Sequence, residues 1–323
     1  MSASPATGKS RAPLFLLLAA LVLVASAAFM TLGVKGRWDF VLPLRATKLA
    51  TLLIVGYAIA ISTVMFQTIA NNRILTPSIM GLDALYILIQ TALVFVAGSG
   101  AFGLVDKRLL FLGQAAAMTL LASLLYRWLF AGTTRSLHLL LLAGVILGVM
   151  FRSLSAVMQR MIDPTDFVVL QDRFFASFNS VDPSLLGVAA IVTAGVSIIV
   201  WRMLGVLDVL SLGRDNAVAL GVDYQAAVSR ILILTAILVS TSTALVGPVA
   251  FFGLLVANLA YQLVNSHRHA LTMPAAVLLA FLCLVGGQVI LERVFAFNTA
   301  LAIIVEFVGG VVFLIMLVRG AVR

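Results

Sequence analysis

Charge is scarce in this sequence, and acid is scarcer than base. Only 10% of the 323 residues are charged, and 12 acidic side chains face 21 basic ones, for a formal net charge of +9. A soluble chain of this length carries about 25% charged residues, so a fully solvated globular surface is excluded. The single cysteine, Cys283, rules out an intrachain disulfide, and its place in the apolar run 271–291 marks it as a small packing residue. No H-E-x-x-H or cysteine cluster offers a metal site. His267 and His269 in "NSHRH" read as part of a basic cytoplasmic loop rather than as ligands. No G-x-x-x-x-G-K-[ST] loop is present to cradle ATP phosphates, and spacing alone picks out no nucleophile–base pair. No basic run interleaved with aromatics suggests a nucleic-acid groove. These absences point to a conduit without a cofactor rather than to an enzyme.

What fills the chain instead is hydrocarbon: 63% of residues are hydrophobic, and the mean hydropathy is +1.17. Apolar runs fall at about 12–34, 49–70, 84–105, 109–131, 137–158, 184–206, 228–264, 271–291 and 296–318. A helix crosses a bilayer with about 20 residues. The run 228–264 is therefore too long for one crossing, and Gly247-Pro248 marks a turn inside it, because proline removes a backbone donor. The expectation is an all-α polytopic membrane protein of about ten spans, one permease domain over 1–323, with both termini on the same side. The "ASA" at 25–27 could serve as a signal-peptidase site, but the run after Lys9 and Arg11 has span length and reads as an uncleaved first helix. With the termini placed in the cytoplasm, Arg and Lys divide almost evenly between the faces, so positive charge alone does not set the topology. The basic outer face, with Arg45, Lys48 and Arg293 on it, needs its own explanation.

Two polar segments interrupt the hydrocarbon. Residues 160–183 mix Asp166, Asp172 and Arg173 with Phe167, Phe174, Phe175 and Phe178, which suits a gate element or an aromatic belt at the headgroups. The second, "VLSLGRDNAVALGVD", spans about 208–223. Ser211 can cap a helix over 212–220 and Gly221 can end it. Such a helix is only about 14 Å long, so it lies on the surface and presents a face to a partner, with Ala217 allowing close approach and Leu220 an apolar contact. Within the spans, Glu306 in "LAIIVEFVGG" and Asp83 in "GLDALY" are costly in lipid and face a cavity, a helix or a polar partner. Gln67, Gln159 and Glu306 are candidates for a translocation path, or for inter-helix hydrogen bonds.

The segment "LGRDNAVALGV" resembles the cytoplasmic coupling segment of the FecCD-type permeases, the membrane subunits of ABC importers for iron chelates, haem and vitamin B12. It matches L-G-x-x-x-A-x-x-L-G-V at Leu212, Gly213, Ala217, Leu220, Gly221 and Val222. Arg45, Gly56, Gln67, Asn72, Arg73, Pro77 and Gly81 match the family's second span and the loop after it, and Gly247, Phe251 and Gly253 match G-x-x-x-F-x-G-L. Where the broad family continues P-H-x-x-R, this chain reads Ala257-Asn258-Leu259-Ala260-Tyr261, and Gly309 is followed by Gly310-Val311 rather than x-Pro. These departures, with "GLDALY" and "LQDRFFASFN", resemble the branch that imports ferric catecholate and related siderophores. The resemblance implies a second permease subunit, identical or paralogous, and cytoplasmic ATP-binding subunits gripping Gly213, Arg214, Asp215, Ala217, Leu220 and Gly221. It also implies an extracytoplasmic siderophore-binding protein docked on Arg45, Lys48 and Arg293 of the outer face, while membrane lipid surrounds the permease itself. Lys48 stands where the family has an arginine, and lysine lacks the bidentate fork. The alternatives are a B12 or haem permease of the same family, or an ion-coupled secondary carrier.

Overall fold

Twenty consecutive apolar residues make a helix about 30 Å long, the thickness of a bilayer's hydrocarbon core, and the chain repeats that solution along its length. The computed structural model describes residues 11–33, 37–100, 106–130, 137–179, 181–295 and 300–318, and these are helical with no strand. The apolar helices are α1 (Ala12–Thr31), α2 (Trp38–Ala70), α3 (Leu82–Ala97), α4 (Lys107–Phe130) and α5 (Leu137–Gln159). A short α6 (Pro164–Asp172) precedes α7 (Pro183–Arg202), and two more short helices follow, α8 (Leu204–Leu210) and α9 (Arg214–Ala219). Then come α10 (Tyr224–Val246), α11 (Phe252–Val264), α12 (His269–Arg293) and α13 (Leu301–Val318). Seven of them (α1, α2, α4, α5, α7, α10 and α12) are long and apolar enough to span, and α3, α11 and α13 are shorter apolar helices. The sequence expectation of about ten spans corresponds to these two groups together.

Two irregular stretches explain the short helices. Before α3, a 3-10 turn at Pro77–Met80 lies inside the protein against α5, α2 and α10. Irregular backbone at membrane depth is tolerated where protein buries it. Here the burial is backbone on backbone: a Cβ on Gly81 would sit 2.9 Å from Gly148 Cα, and one on Gly144 2.9 Å from Met80 Cα. Gly144 and Gly148 thus form a small-residue seat on α5 for the turn. The second stretch is the expected break after Val246. Gly247 has φ 102, and a Cβ there would meet Ala176 Cα at 3.1 Å. Ser177 N–H donates to Val246 O at 2.7 Å. The aromatic segment after α5 is therefore a cap: α6, started by Asp163 accepting from Thr165 N–H, leads into a loop that tucks Ala176 and Phe178 beneath the break.

Helices α2 and α10 form the centre, with α10 packed on α2, α4 and α7. Helix α12 packs on α1, α2 and α11, and α13 lies against α11 and α12. At 33 residues, α2 is about 50 Å long, so its first turns, 38–48, extend an apolar run that the sequence places at 49. Successive spans alternate direction. Arg11, before α1, donates to Asn265 O at 2.9 Å at the end of the bundle that holds α9. Helix α13 runs back toward that end, since Leu301 meets Gly287 while Gly309 meets Leu255. The start of α1 and the end of α13 therefore share the α9 end. Lys9 and Arg135 lie outside the described residues.

Candidate functional site

At the α9 end the chain builds a short surface helix, although its boundaries differ from the sequence expectation. The helix covers Arg214–Ala219, and its N-cap is Gly213 at φ 91, ψ 167. Ser211 does not cap it; Ser211 closes α8, and its hydroxyl donates to Asp208 O at 2.6 Å. The reason is steric: the bend between α8 and α9 needs a backbone conformation essentially open to glycine alone, and Gly213 supplies it two residues after Ser211. Gly221, at φ 84, ends the segment as expected. Ala217 corrects a second expectation. It is fully buried within the chain, so the face open to a partner includes Leu212, Arg214, Asp215, Val218, Leu220 and Gly221 but not Ala217. The small side chain at 217 lets α9 lie close on its own bundle, against α8 and α10.

At the far end the basic residues converge, but on an acid of the same chain. Glu292, near the end of α12, lies 4.0 Å from Arg45 and 3.9 Å from Lys48, and the three side chains are 9%, 12% and 23% exposed. Arg45 also donates to Phe29 O at 2.6 Å and Leu32 O at 2.9 Å. Gln288 donates to Glu292 at 3.1 Å and to Asn179 at 3.0 Å, which ties the capping loop to the same cluster. Arg293 is exposed and donates to Leu32 O. Of the three expected docking residues, Arg293 alone is exposed, and it too is held by the chain, at Leu32 O. Nearby, Asp182 caps α7 and meets Lys107 at 3.1 Å. The Ser184 backbone N–H, the Ser184 hydroxyl and Lys107 hold its carboxyl down at about 2.

The expected path residues do not share one surface. Gln67 is buried and donates to Arg73 O at 2.8 Å. Asn258 donates to the same carbonyl at 2.9 Å, and the Arg73 guanidinium lies 4.6 Å from the centre of the Tyr261 ring. Two of the departures from the family motif thus have partners: Asn258 and Tyr261 both hold the loop after α2. Gln67, Asn71, Arg73, Tyr261 and His269 help line a polar cavity of ≈ 490 Å³ at the α9 end. Gln159 donates to the buried Thr91 at 3.3 Å, an α5–α3 bond. Glu306 is half-buried on α13, and it, Arg152 of α5 and Ser78 all act on Asp83 at the start of α3. Arg152 is exposed on a membrane-spanning helix. A charge so placed requires water or a second chain beside it.

Two features escape a reading of spacing. Glu292 is adjacent to Arg293 in sequence yet pairs with α2. His269 is neither a ligand nor a loop residue: its ring is buried, with Nδ1 2.6 Å from Asp208 Oδ1 and Nε2 2.7 Å from Thr68 Oγ1. Those partners are 61 and 201 residues away, and no local signal connects them. Among the described residues no group of three or more His, Cys, Asp or Glu could hold a metal ion.

Comparison with known proteins follows the same lines. The petrobactin import system permease protein YclO of Bacillus subtilis (strain 168) is 46% identical over 94% of this chain and 96% of its own length. The petrobactin import system permease protein FatC of Bacillus anthracis is 37% identical over 85% and 78%. A metal-chelate type ABC transporter solved in an inward-facing conformation shares the fold, with a TM-score of 0.84 over 96% of this chain and 100% of that one at 20% identity. The FecCD transport family matches residues 10–319, and the chain belongs to that family.

Proposed function

We propose that the chain is the membrane permease of an ABC importer that carries a ferric siderophore of the petrobactin kind. The observation that carries this reading is the 46% identity to a petrobactin permease along nearly the whole of both chains. The chain acts as one transmembrane unit with cytoplasmic termini, paired with a second permease. The α9 end faces the cytoplasm and two ATPase subunits, and Leu212, Arg214, Asp215, Val218 and Leu220 meet them. The far end receives the loaded binding protein. Arg293, exposed and bonded only to a backbone carbonyl, meets an acidic partner there, while Arg45 and Lys48 engage one only as Glu292 yields. The chelate passes beside the charged face of Asp83, Arg152 and Glu306, which the second permease encloses. ATP-driven closure of the ATPases displaces α9 and shifts the bundle between outward-open and inward-open states, each favoured by ligands at one face.

The reading is tested in a bacterial strain stripped of its own petrobactin permeases and given this chain with its ATPase and binding protein. Uptake of ⁵⁵Fe from ferric petrobactin should be restored, and cyanocobalamin and haem uptake should not. Restored B12 or haem uptake in place of iron would assign the other cargo.

A further inference from the structure

We infer that Asp208, His269 and Thr68 form a positioning relay through which movement of α9 reaches the inner ends of α12 and α2. The inference rests on the functional reading above and deepens it. Helix α9 packs on α8 and α10, and α8 in turn packs on α2, α7 and α12. The apolar part of that contact, Leu207 and Leu210, can slide, because dispersion contacts have little direction. The directional part is Asp208. Its Oδ1 accepts the His269 backbone N–H at 2.7 Å and faces ring Nδ1 at 2.6 Å. The first of these satisfies one of the orphan donors at the start of α12. The second fixes the tautomer: a carboxylate offers no hydrogen, so Nδ1 carries the proton.

The opposite ring nitrogen, Nε2, lies 2.7 Å from Thr68 Oγ1 in the last turn of α2. Thr68 Oγ1 also lies 2.8 Å from Val64 O in the turn before. One carboxylate beside α9 is thereby joined through one rigid ring to the end of the central helix. Asp208 is 37% exposed while the His269 side chain is 5% exposed. The relay therefore begins at a partly exposed carboxylate near the proposed ATPase contact and ends at buried side chains. Its inner end forms part of the wall of the ≈ 490 Å³ polar cavity, through Thr68 and His269. The neighbouring Gln67–Arg73–Asn258 bonds carry the linkage on to α11. Charge-assisted hydrogen bonds of this length resist shear and reorientation. Displacement of α8 must pull α12 and α2 with it, or break the bonds.

The test uses the complete assembly of permease, ATPase and binding protein in proteoliposomes, with the variants Asp208→Asn, His269→Gln, Thr68→Val and the Asp208→Asn/His269→Gln double. The Asp208→Asn side chain keeps an oxygen that accepts the His269 N–H, and valine is nearly isosteric with threonine, so the fold has variants it can tolerate. Three readouts are taken: ATPase retained on purification, ATP hydrolysed per ferric petrobactin moved, and the response to ATP of nitroxides on Ala219 of α9 and on Ile74, both exposed. The relay predicts wild-type ATPase retention and a tenfold or greater rise in ATP spent per chelate. The Ala219 label should still respond to ATP while the Ile74 label falls silent. The double variant should be no worse than the worse single one, since both break one linkage. Unchanged stoichiometry overturns the inference, as do single effects that multiply, or loss of transport that tracks loss of bound ATPase. A wild-type chain that assembles with no ATPase overturns the functional reading itself, which is a different result.

Discussion

Gly213→Ala isolates the shape of the α9 segment from everything else in the protein. A Cβ at Gly213 would meet nothing within 4 Å, so the substitution causes no crowding. Its whole effect lies in the backbone, since φ 91 and ψ 167 fall in a region that costs a non-glycine residue about 1–3 kcal/mol. Helix α9 has six residues, too few to hold a helix unaided, so the segment relaxes into other conformations rather than bearing the strain. A partner that binds the native shape then sees it at a reduced fraction, and its apparent affinity falls by that fraction. At 1.4 kcal/mol per factor of ten, the loss is about 5- to 150-fold in ATPase affinity. The assay is titration of a fluorescent ATPase subunit onto the permease in nanodiscs, with thermal unfolding as the control. Melting should stay unchanged, because the bend lies outside the core. Gly205→Ala, in α8 with open space around its Cβ, should bind like wild type. If Gly213→Ala also binds like wild type, the segment is not the shape the ATPase recognises.

Other substitutions test the bundle. Gly253→Ala would press a Cβ onto Thr63 Oγ1 and bring it within 3.1 Å of Ile59 Cγ2. This overpacking of the α11–α2 seam should cost about 1–3 kcal/mol, and Thr63→Ala should recover much of it in a double-variant melt; additive losses would refute the seam. Glu292→Gln should cost about 1–3 kcal/mol by leaving Arg45 and Lys48 short of a counter-charge. It should also raise affinity for an acidic binding protein, and unchanged affinity would show that Glu292 does not compete for those cations. Asn258→Leu should cost about 1 kcal/mol, since Arg73 O keeps its bond from Gln67; hydrogen-exchange protection after α2 should fall with it. The Asp182 carboxyl is depressed in the folded protein, so its contribution is present above about pH 4 and lost as pH falls through about 2. A carbon-13 titration midpoint near 4 would show that the Ser184 cap and the Lys107 contact do not form.

The parts legible in the sequence were those set by local chemistry. Span length, the Gly247-Pro248 break and the positive φ of Gly221 each follow from a few adjacent residues. What escaped depends on the third dimension. A serine two residues before a glycine offers a good cap, yet the bend between α8 and α9 gave that place to Gly213. Ala217 looks small toward a partner or toward its own bundle with equal ease, and only the packing of α9 decides which. The pairing of Glu292 with Arg45 and Lys48 joins α12 to α2, and Asp208 with His269 joins α8 to α12. Periodicity cannot align helices so distant in the chain. The family-motif departures at 258 and 261 were visible, but their compensation was not: Asn258 and Tyr261 acquire meaning only once Arg73 folds back upon them.

Coupling to ATP hydrolysis at the α9 end is the proposed source of the work that moves a ferric siderophore through this bundle. The most direct measurement is ⁵⁵Fe–petrobactin uptake into proteoliposomes holding this chain with its ATPase, ATP inside and binding protein outside. Uptake should be saturable, require both the ATPase and the binding protein, stop with vanadate, and ignore imposed proton or sodium gradients. Uptake by the permease alone, driven by such a gradient, would contradict it.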